Sequence, residues 1–135
     1  MKTYPLHLQS AAQYERIEGV ASFVGEDASG QFGILARHDR FITTLVPGLA
    51  RYRTGREPWQ YVALPGGVLD FVGGELYVTT GRYARDPDYR RMRALLRERL
   101  LAEEEGLRAL KMSVRRLEEE LFRRLYDLER RGSGR

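Results

Sequence analysis

The sequence predicts an α+β chain: an all-β sandwich of about ten short strands over residues 1–85, then an α-helical hairpin or long bent helix over 86–131, with a frayed tail at 132–135. Three observations carry this division. Val, Ile and Thr number 16 through Arg85, and only Val114 follows. Glycines divide 11 to 3 at the same point. The last 50 residues instead hold ten Leu, fourteen Lys or Arg and eleven Asp or Glu. Branched side chains fit a pleated sheet and glycines its turns, whereas Leu mixed with both charges marks a solvent-washed amphipathic helix.

The strands follow from alternation between turn signals. Tyr4, Leu6 and Leu8 share one face of Thr3–Gln9, which places His7 on the solvent side. Tyr14–Glu18 and Val20–Val24 follow, and Glu26-Asp27-Ala28-Ser29-Gly30 turns the chain into Phe32–Leu35. Phe41–Leu45 stops at Pro47-Gly48; Leu49–Arg53 turns at Gly55-Arg56 into Trp59–Leu64. Pro65-Gly66-Gly67 separates this from Val68–Val72, and Gly73-Gly74 has the composition of a two-residue primed hairpin turn into Leu76–Thr80. About 85 residues of such strands can bury a thin sandwich or barrel core.

Asp86-Pro87 reads as an N-cap and first helical position, with Asp88 favourable at the positive end of the helix dipole. From Tyr89, Met92, Leu96 and Leu100 through Leu107, Leu110, Val114, Leu117, Leu121, Leu125 and Leu128, apolar residues recur every three or four positions. Oppositely charged residues four apart, such as Arg99 with Glu103 and Glu120 with Arg124, support the helix by about 0.2–0.5 kcal/mol each. Glu103-Glu104-Glu105-Gly106 is the predicted break, because glycine costs about 1 kcal/mol in a helix interior and carboxylates are unfavourable near a C-terminal end. Compact and extended forms so closely balanced suit a switch biased by a partner.

The chemistry is that of a binding protein. No cysteine is present and only two histidines, so disulfides, thiolate catalysis and Cys- or His-rich metal centres are excluded. No nucleophile elbow, His-Glu-x-x-His or phosphate loop occurs; catalytic and metal residues are none. Glu26 and Asp27 read as a loop tip and not a carboxylate dyad. The aromatics Phe32, Phe41, Trp59, Tyr61 and Phe71 read as core. The net charge of +4 favours an acidic partner, but the helical segment nets only +3 with Glu interleaved throughout, which argues against nucleic acid. No apolar run reaches the length of a membrane span, and the first ten residues lack the apolar stretch of a leader. A small β-barrel RNA-associated or regulatory binding protein is the alternative on composition.

Two stretches carry a resemblance. Gly30-Gln31-Phe32-Gly33-Ile34-Leu35-Ala36-Arg37-His38, continuing through Phe41-Ile42-Thr43-Thr44-Leu45-Val46-Pro47-Gly48, is similar to the pattern Gly-x-Leu-Gly-Ile-Leu-Pro-Gly-His-Ala-Pro-Leu-Leu-Thr-x-Leu-x-Pro-Gly. Tyr61-Val62-Ala63-Leu64-Pro65-Gly66-Gly67-Val68-Leu69-Asp70-Phe71 resembles aromatic-x-x-x-Ser-Gly-Gly-Phe-Leu-Glu-Val. Both patterns belong to the epsilon subunit of F-type ATP synthases. Phe23–Asp27, Leu101–Glu105 and the charged replacements Ala36-Arg37 and Asp39-Arg40 further resemble the epsilon subunits of alternate, or N-type, ATPases.

The resemblance implies a non-catalytic rotor subunit at the cytoplasmic face of the bacterial plasma membrane, peripheral and without a transmembrane segment. Its expected partners are the gamma subunit, the c-ring and the catalytic alpha/beta head, whose ATP hydrolysis the extended helices restrain. By position, Gln31 and His38 fall on the c-ring-facing end, and Arg37 and Arg40 make that end more basic, implying a more acidic ring surface. No cofactor is implied, but an Asp-x-x-Arg-Ala element binds ATP as a regulatory ligand in some members. Asp88 and Arg91 match it in part, with the Ala displaced to Ala94.

Overall fold

The computed structural model describes residues 2–133. The chain divides into two units, Met1–Arg97 and Glu98–Arg135. Within the first unit are nine strands: β1 (Tyr4–Gln9), β2 (Tyr14–Asp27), β3 (Gly30–Leu35), β4 (Phe41–Leu45), β5 (Gly48–Thr54), β6 (Gln60–Leu64), β7 (Gly67–Val72), β8 (Glu75–Thr80) and β9 (Ala84–Asp86). The single helix among the described residues, α1, covers Tyr89–Ser133.

The two predicted runs at 14–18 and 20–24 are one strand, β2, bent at a bulge. Leu6 stands opposite Ile17 but Tyr4 opposite Val20, so one extra residue of β2 is inserted. Gly19 supplies the positive φ of 73° there, and its carbonyl accepts from the Gly55 N–H at 3.1 Å. Before the bulge β2 pairs with β1; after it, one edge pairs with β5 and the other with β3. The order β1-β8-β7-β4-β2-β5-β6-β9 closes on itself through β1–β2, with β1 and β8 parallel. This gives a β-sandwich whose interior takes alternate residues of each strand: Tyr4, Leu6 and Leu8; Leu69 and Phe71; Leu76 and Val78; Val62 and Leu64. The Tyr4 hydroxyl, buried with them, donates to the Ile34 carbonyl at 2.5 Å, and burial raises its pKa. Gly73 and Gly74 both have positive φ, 61° and 75°, as their primed turn requires.

Three expectations are corrected. His7 is 4% exposed. It lies on the face away from Leu6 and Leu8, but its ring stacks on Tyr77 at 4.3 Å and its nitrogens bond the Tyr14 hydroxyl at 2.7 Å and Glu75 Oε1 at 3.1 Å. Side chains from β2 and β8 cover it, which alternation within β1 cannot reveal. The helix cap is Asp88 and not Asp86, because the Asp86 backbone is held in β9 opposite Tyr61. Finally, α1 continues through Gly106 without the predicted break. One glycine costs about 1 kcal/mol, too little by itself to interrupt a helix whose flanking residues are strong helix formers. Of the predicted i,i+4 charge pairs, Glu120 and Arg124 close to 3.1 Å, on the C-terminal side of Gly106.

Met92, in the first turn of α1, is 2% exposed and belongs to the first unit. The sandwich unit therefore extends past residue 85 into the helix. In the second unit Leu107, Leu110, Leu117, Leu121, Leu125 and Leu128 are all exposed. The side chain of Leu100, counted in the predicted stripe, and the tail residues Gly134 and Arg135 lie outside the described residues.

Candidate functional site

The basic loop Ala36–Arg40 joins β3 to β4. Its turn is closed by the His38 N–H donating to the Leu35 carbonyl at 3.2 Å. Arg37 adopts φ 70°, a left-handed conformation costly for a residue with a Cβ. His38 Nδ1 donates to the Asp39 carbonyl at 2.7 Å, and its ring meets Phe41 and Phe71 at 5.5 and 6.0 Å between centroids. The ring thus fastens the loop to the mouth of the core. Arg37 and Arg40 are exposed, with no ion pair among the described residues. The loop offers two exposed cations on a base held by the His38 contacts.

Gln31 is not part of this cluster. It lies at the opposite end of β3, opposite Glu26, so four residues of extended chain, about 13 Å, separate it from Leu35. There it lines a pocket of ≈ 360 Å³ with Glu26, Arg51, Tyr61, Tyr89 and Arg93. The adjacent turn is held by Asp27, whose Oδ1 accepts from the Ser29 N–H at 2.9 Å and whose Oδ2 accepts from the Thr43 hydroxyl at 2.8 Å. The Ser29 and Thr43 bonds keep its carboxyl below the usual range. Glu26 and Asp27 form no carboxylate dyad.

Asp88 and Arg91 are near each other, in local roles. The Arg91 N–H donates to Asp88 Oδ1 at 3.2 Å, a helix cap, while the Arg91 guanidinium reaches Asp86 Oδ2, also at 3.2 Å. The Asp88 N–H donates to Asp86 Oδ1 at 2.8 Å and, with Arg91, lowers the Asp86 pKa. Just before, Arg85 grips Glu15 of β2 through Nε at 2.8 Å and Nη2 at 2.7 Å, and Tyr83 donates to the same carboxylate at 2.8 Å. Arg85 foremost holds the Glu15 carboxyl below its ordinary pKa. This clamp fixes the exit of the sandwich where α1 begins.

Sequence reasoning passed over the outer face of β5. Arg51 and Arg53 alternate there with buried Ala50 and Tyr52, and Trp59, expected in the core, instead lies half-buried against both guanidinium groups. The alternation Ala50-Arg51-Tyr52-Arg53 was the available signal.

Residues 7–85 match the family model of the ATP synthase delta/epsilon chain β-sandwich domain. The chain belongs to this ATP synthase delta/epsilon family. It is also 36% identical, over 109 residues, to the "ATP synthase epsilon chain 2" of Cereibacter sphaeroides, an alignment covering 80% of this chain and 75% of that one. Among solved structures, a chain of the Euglena gracilis mitochondrial ATP synthase (OSCP/F1/c-ring, rotational state 1) aligns with TM-score 0.57 at 19% identity. A chain of the Tetrahymena thermophila mitochondrial ATP synthase central stalk/c-ring aligns with TM-score 0.54 at 10% identity. Each covers 62% of this chain, which spans about half, 53%, of the Euglena chain and 66% of the Tetrahymena chain; at such identities they establish the fold. As an epsilon-type member the chain is a non-catalytic subunit of an ATP synthase, a peripheral part of a membrane-associated complex. The family displaces the RNA-associated alternative. No helix among the described residues is long and apolar enough to cross a membrane.

Proposed function

We propose that this epsilon-type subunit is the regulated coupling of a rotor: its sandwich seats on the gamma subunit and on the polar loops of the c-ring, and its helix restrains ATP hydrolysis by entering the alpha/beta head. The observation that carries this reading is the contrast between the units. One is a closed sandwich with its core filled, and the other presents a row of exposed leucines along a helix. Apolar surface of that extent is stabilised by a partner. Ring seating is assigned to the loop of Arg37, His38 and Arg40, whose exposed cations suit an acidic ring surface. Gln31 is assigned to the helix-proximal end of β3. The complex is an alternate, N-type enzyme at the cytoplasmic face of the bacterial plasma membrane, a reading supported by the similarity to an epsilon chain 2. Asp88 and Arg91 serve the helix cap and are assigned no nucleotide. Titration calorimetry of the full chain with ATP tests that assignment, and a saturable heat abolished by Asp88→Ala would reverse it.

The test is an assembled synthase whose epsilon-type subunit ends at Arg97, which keeps Met92 in place. Assembly is expected to persist while ATP hydrolysis rises. Unchanged hydrolysis would remove the restraining role, and lost assembly would place the attachment surface in the helix.

A further inference from the structure

The outer face of β5 carries two arginines that form no ion pair among the described residues. Arg53 stands opposite Ser22 of β2, and Arg51 stands opposite Tyr61 of β6. The guanidinium carbons lie 4.9 Å (Arg51) and 5.2 Å (Arg53) from the centroid of Trp59. The Nε of each is buried without a hydrogen-bond partner, and among the described residues neither side chain forms an ion pair. Beside Arg53 opens a cleft of ≈ 600 Å³, to which Lys2 and Arg56 also contribute; Ala21, Leu35 and Ala36 form apolar parts of its wall, and among the described residues no Asp or Glu lines it.

Two like charges set side by side on one strand repel, and a residue pair with only that role would relax into solvent. Here the Trp59 ring holds them by cation–π attraction, so their geometry is fixed before any ligand arrives and little side-chain entropy remains to be lost. A guanidinium fork fits a carboxylate by two parallel hydrogen bonds, and the alanine and leucine wall suits the methylenes of a glutamate or a neighbouring apolar residue. Nucleic acid is disfavoured, since the one tryptophan available to stack a base already carries both arginines. We propose that this cleft docks an acidic polypeptide segment of a partner protein, with carboxylates on Arg53 and Arg56. This site goes beyond the rotor reading: its cations Arg53 and Arg56 come from β5 and the turn after it, while Leu35 and Ala36 of its wall border the Arg37–Arg40 loop to which ring seating is assigned.

Trp59 is the only tryptophan and its ring lies against the Arg53 guanidinium, so its emission responds to a carboxylate bound at Arg53. Titration of the full chain with hexaglutamate at low salt is expected to give a saturable change in emission. Arg56→Gln, at an exposed position, is expected to weaken binding about tenfold, the size of one lost charge-assisted contact. Arg53→Lys, which keeps the charge and loses the fork, is expected to weaken it by less. Arg82→Gln removes the same charge from an exposed turn and is expected to leave it unchanged. No response to the peptide, or an equal loss in Arg82→Gln, would overturn the proposal. So would saturation by inorganic phosphate or phosphatidylglycerol vesicles at lower concentration, which would assign the cleft to phosphate groups. The probe contains no synthase component, so failure here leaves the rotor reading standing, and failure of the truncation test leaves this site standing.

Discussion

Gly106→Ala tests whether the helical unit is a hinge. An added Cβ at Gly106 meets nothing within 4 Å, so the substitution carries only the helix propensity difference. That difference is about 1 kcal/mol in favour of Ala, or about fivefold in the ratio of continuous to broken helix. The chain has no cysteine, so spin labels can be placed uniquely at Cys substitutions of the exposed Glu98 and Arg116. A continuous helix sets these positions about 27 Å apart, and a hairpin folded at Gly106 brings them to about 10 Å, the spacing of packed helices. Pulsed dipolar spectroscopy is expected to show the long distance dominant, with any short-distance fraction cut about fivefold by Gly106→Ala and enlarged by Gly106→Pro. In the assembled synthase the alanine variant is expected to hold ATP hydrolysis lower than the unsubstituted chain does. A short-distance fraction unmoved by both substitutions would refute the hinge.

Three further predictions concern the sandwich. Gly67→Ala places a Cβ 2.5 Å from the Thr79 carbonyl at a φ of 152°, so urea unfolding is expected to lose about 2–3 kcal/mol. Glu15→Gln removes the carboxylate clasped by Arg85 and Tyr83 and is expected to cost about 1–2 kcal/mol at neutral pH. Because the folded Glu15 pKa is depressed, that stability is present above the unfolded carboxylate value and is lost as pH falls through the folded one. The stability difference between the variant and the unsubstituted chain should therefore shrink in acid; a pH-independent gap would show the clamp to be steric. Arg37→Gly relieves the left-handed backbone at φ 70° and is expected to raise stability by about 1 kcal/mol while weakening low-salt attachment to the ring. Thermal melts and co-sedimentation with ring-containing membranes separate the two effects, and unchanged attachment would remove Arg37 from the interface.

The sequence by itself determined the division into pleated and helical halves, the inward faces of the strands, the Gly73-Gly74 turn and the leucine stripe. Each of these is written in residue spacing within one segment. Only the tertiary structure decided that β2 is a single bent strand serving β1, β3 and β5, because a bulge at Gly19 is recognised by what lies on either side of it. The same holds for buried His7, whose cover comes from Tyr77, 70 residues on, and for the cap, which moved to Asp88 once β9 claimed the Asp86 backbone. The candidate surface was legible in part. Arg37, His38 and Arg40 share a short loop and had to be neighbours, whereas the length of β3 carries Gln31 away from them. Arg53 and Trp59 meet because a hairpin folds β6 back along β5. Spacing along the chain sets which way a side chain faces; which side chains face each other is fixed only when strands far apart in sequence pair.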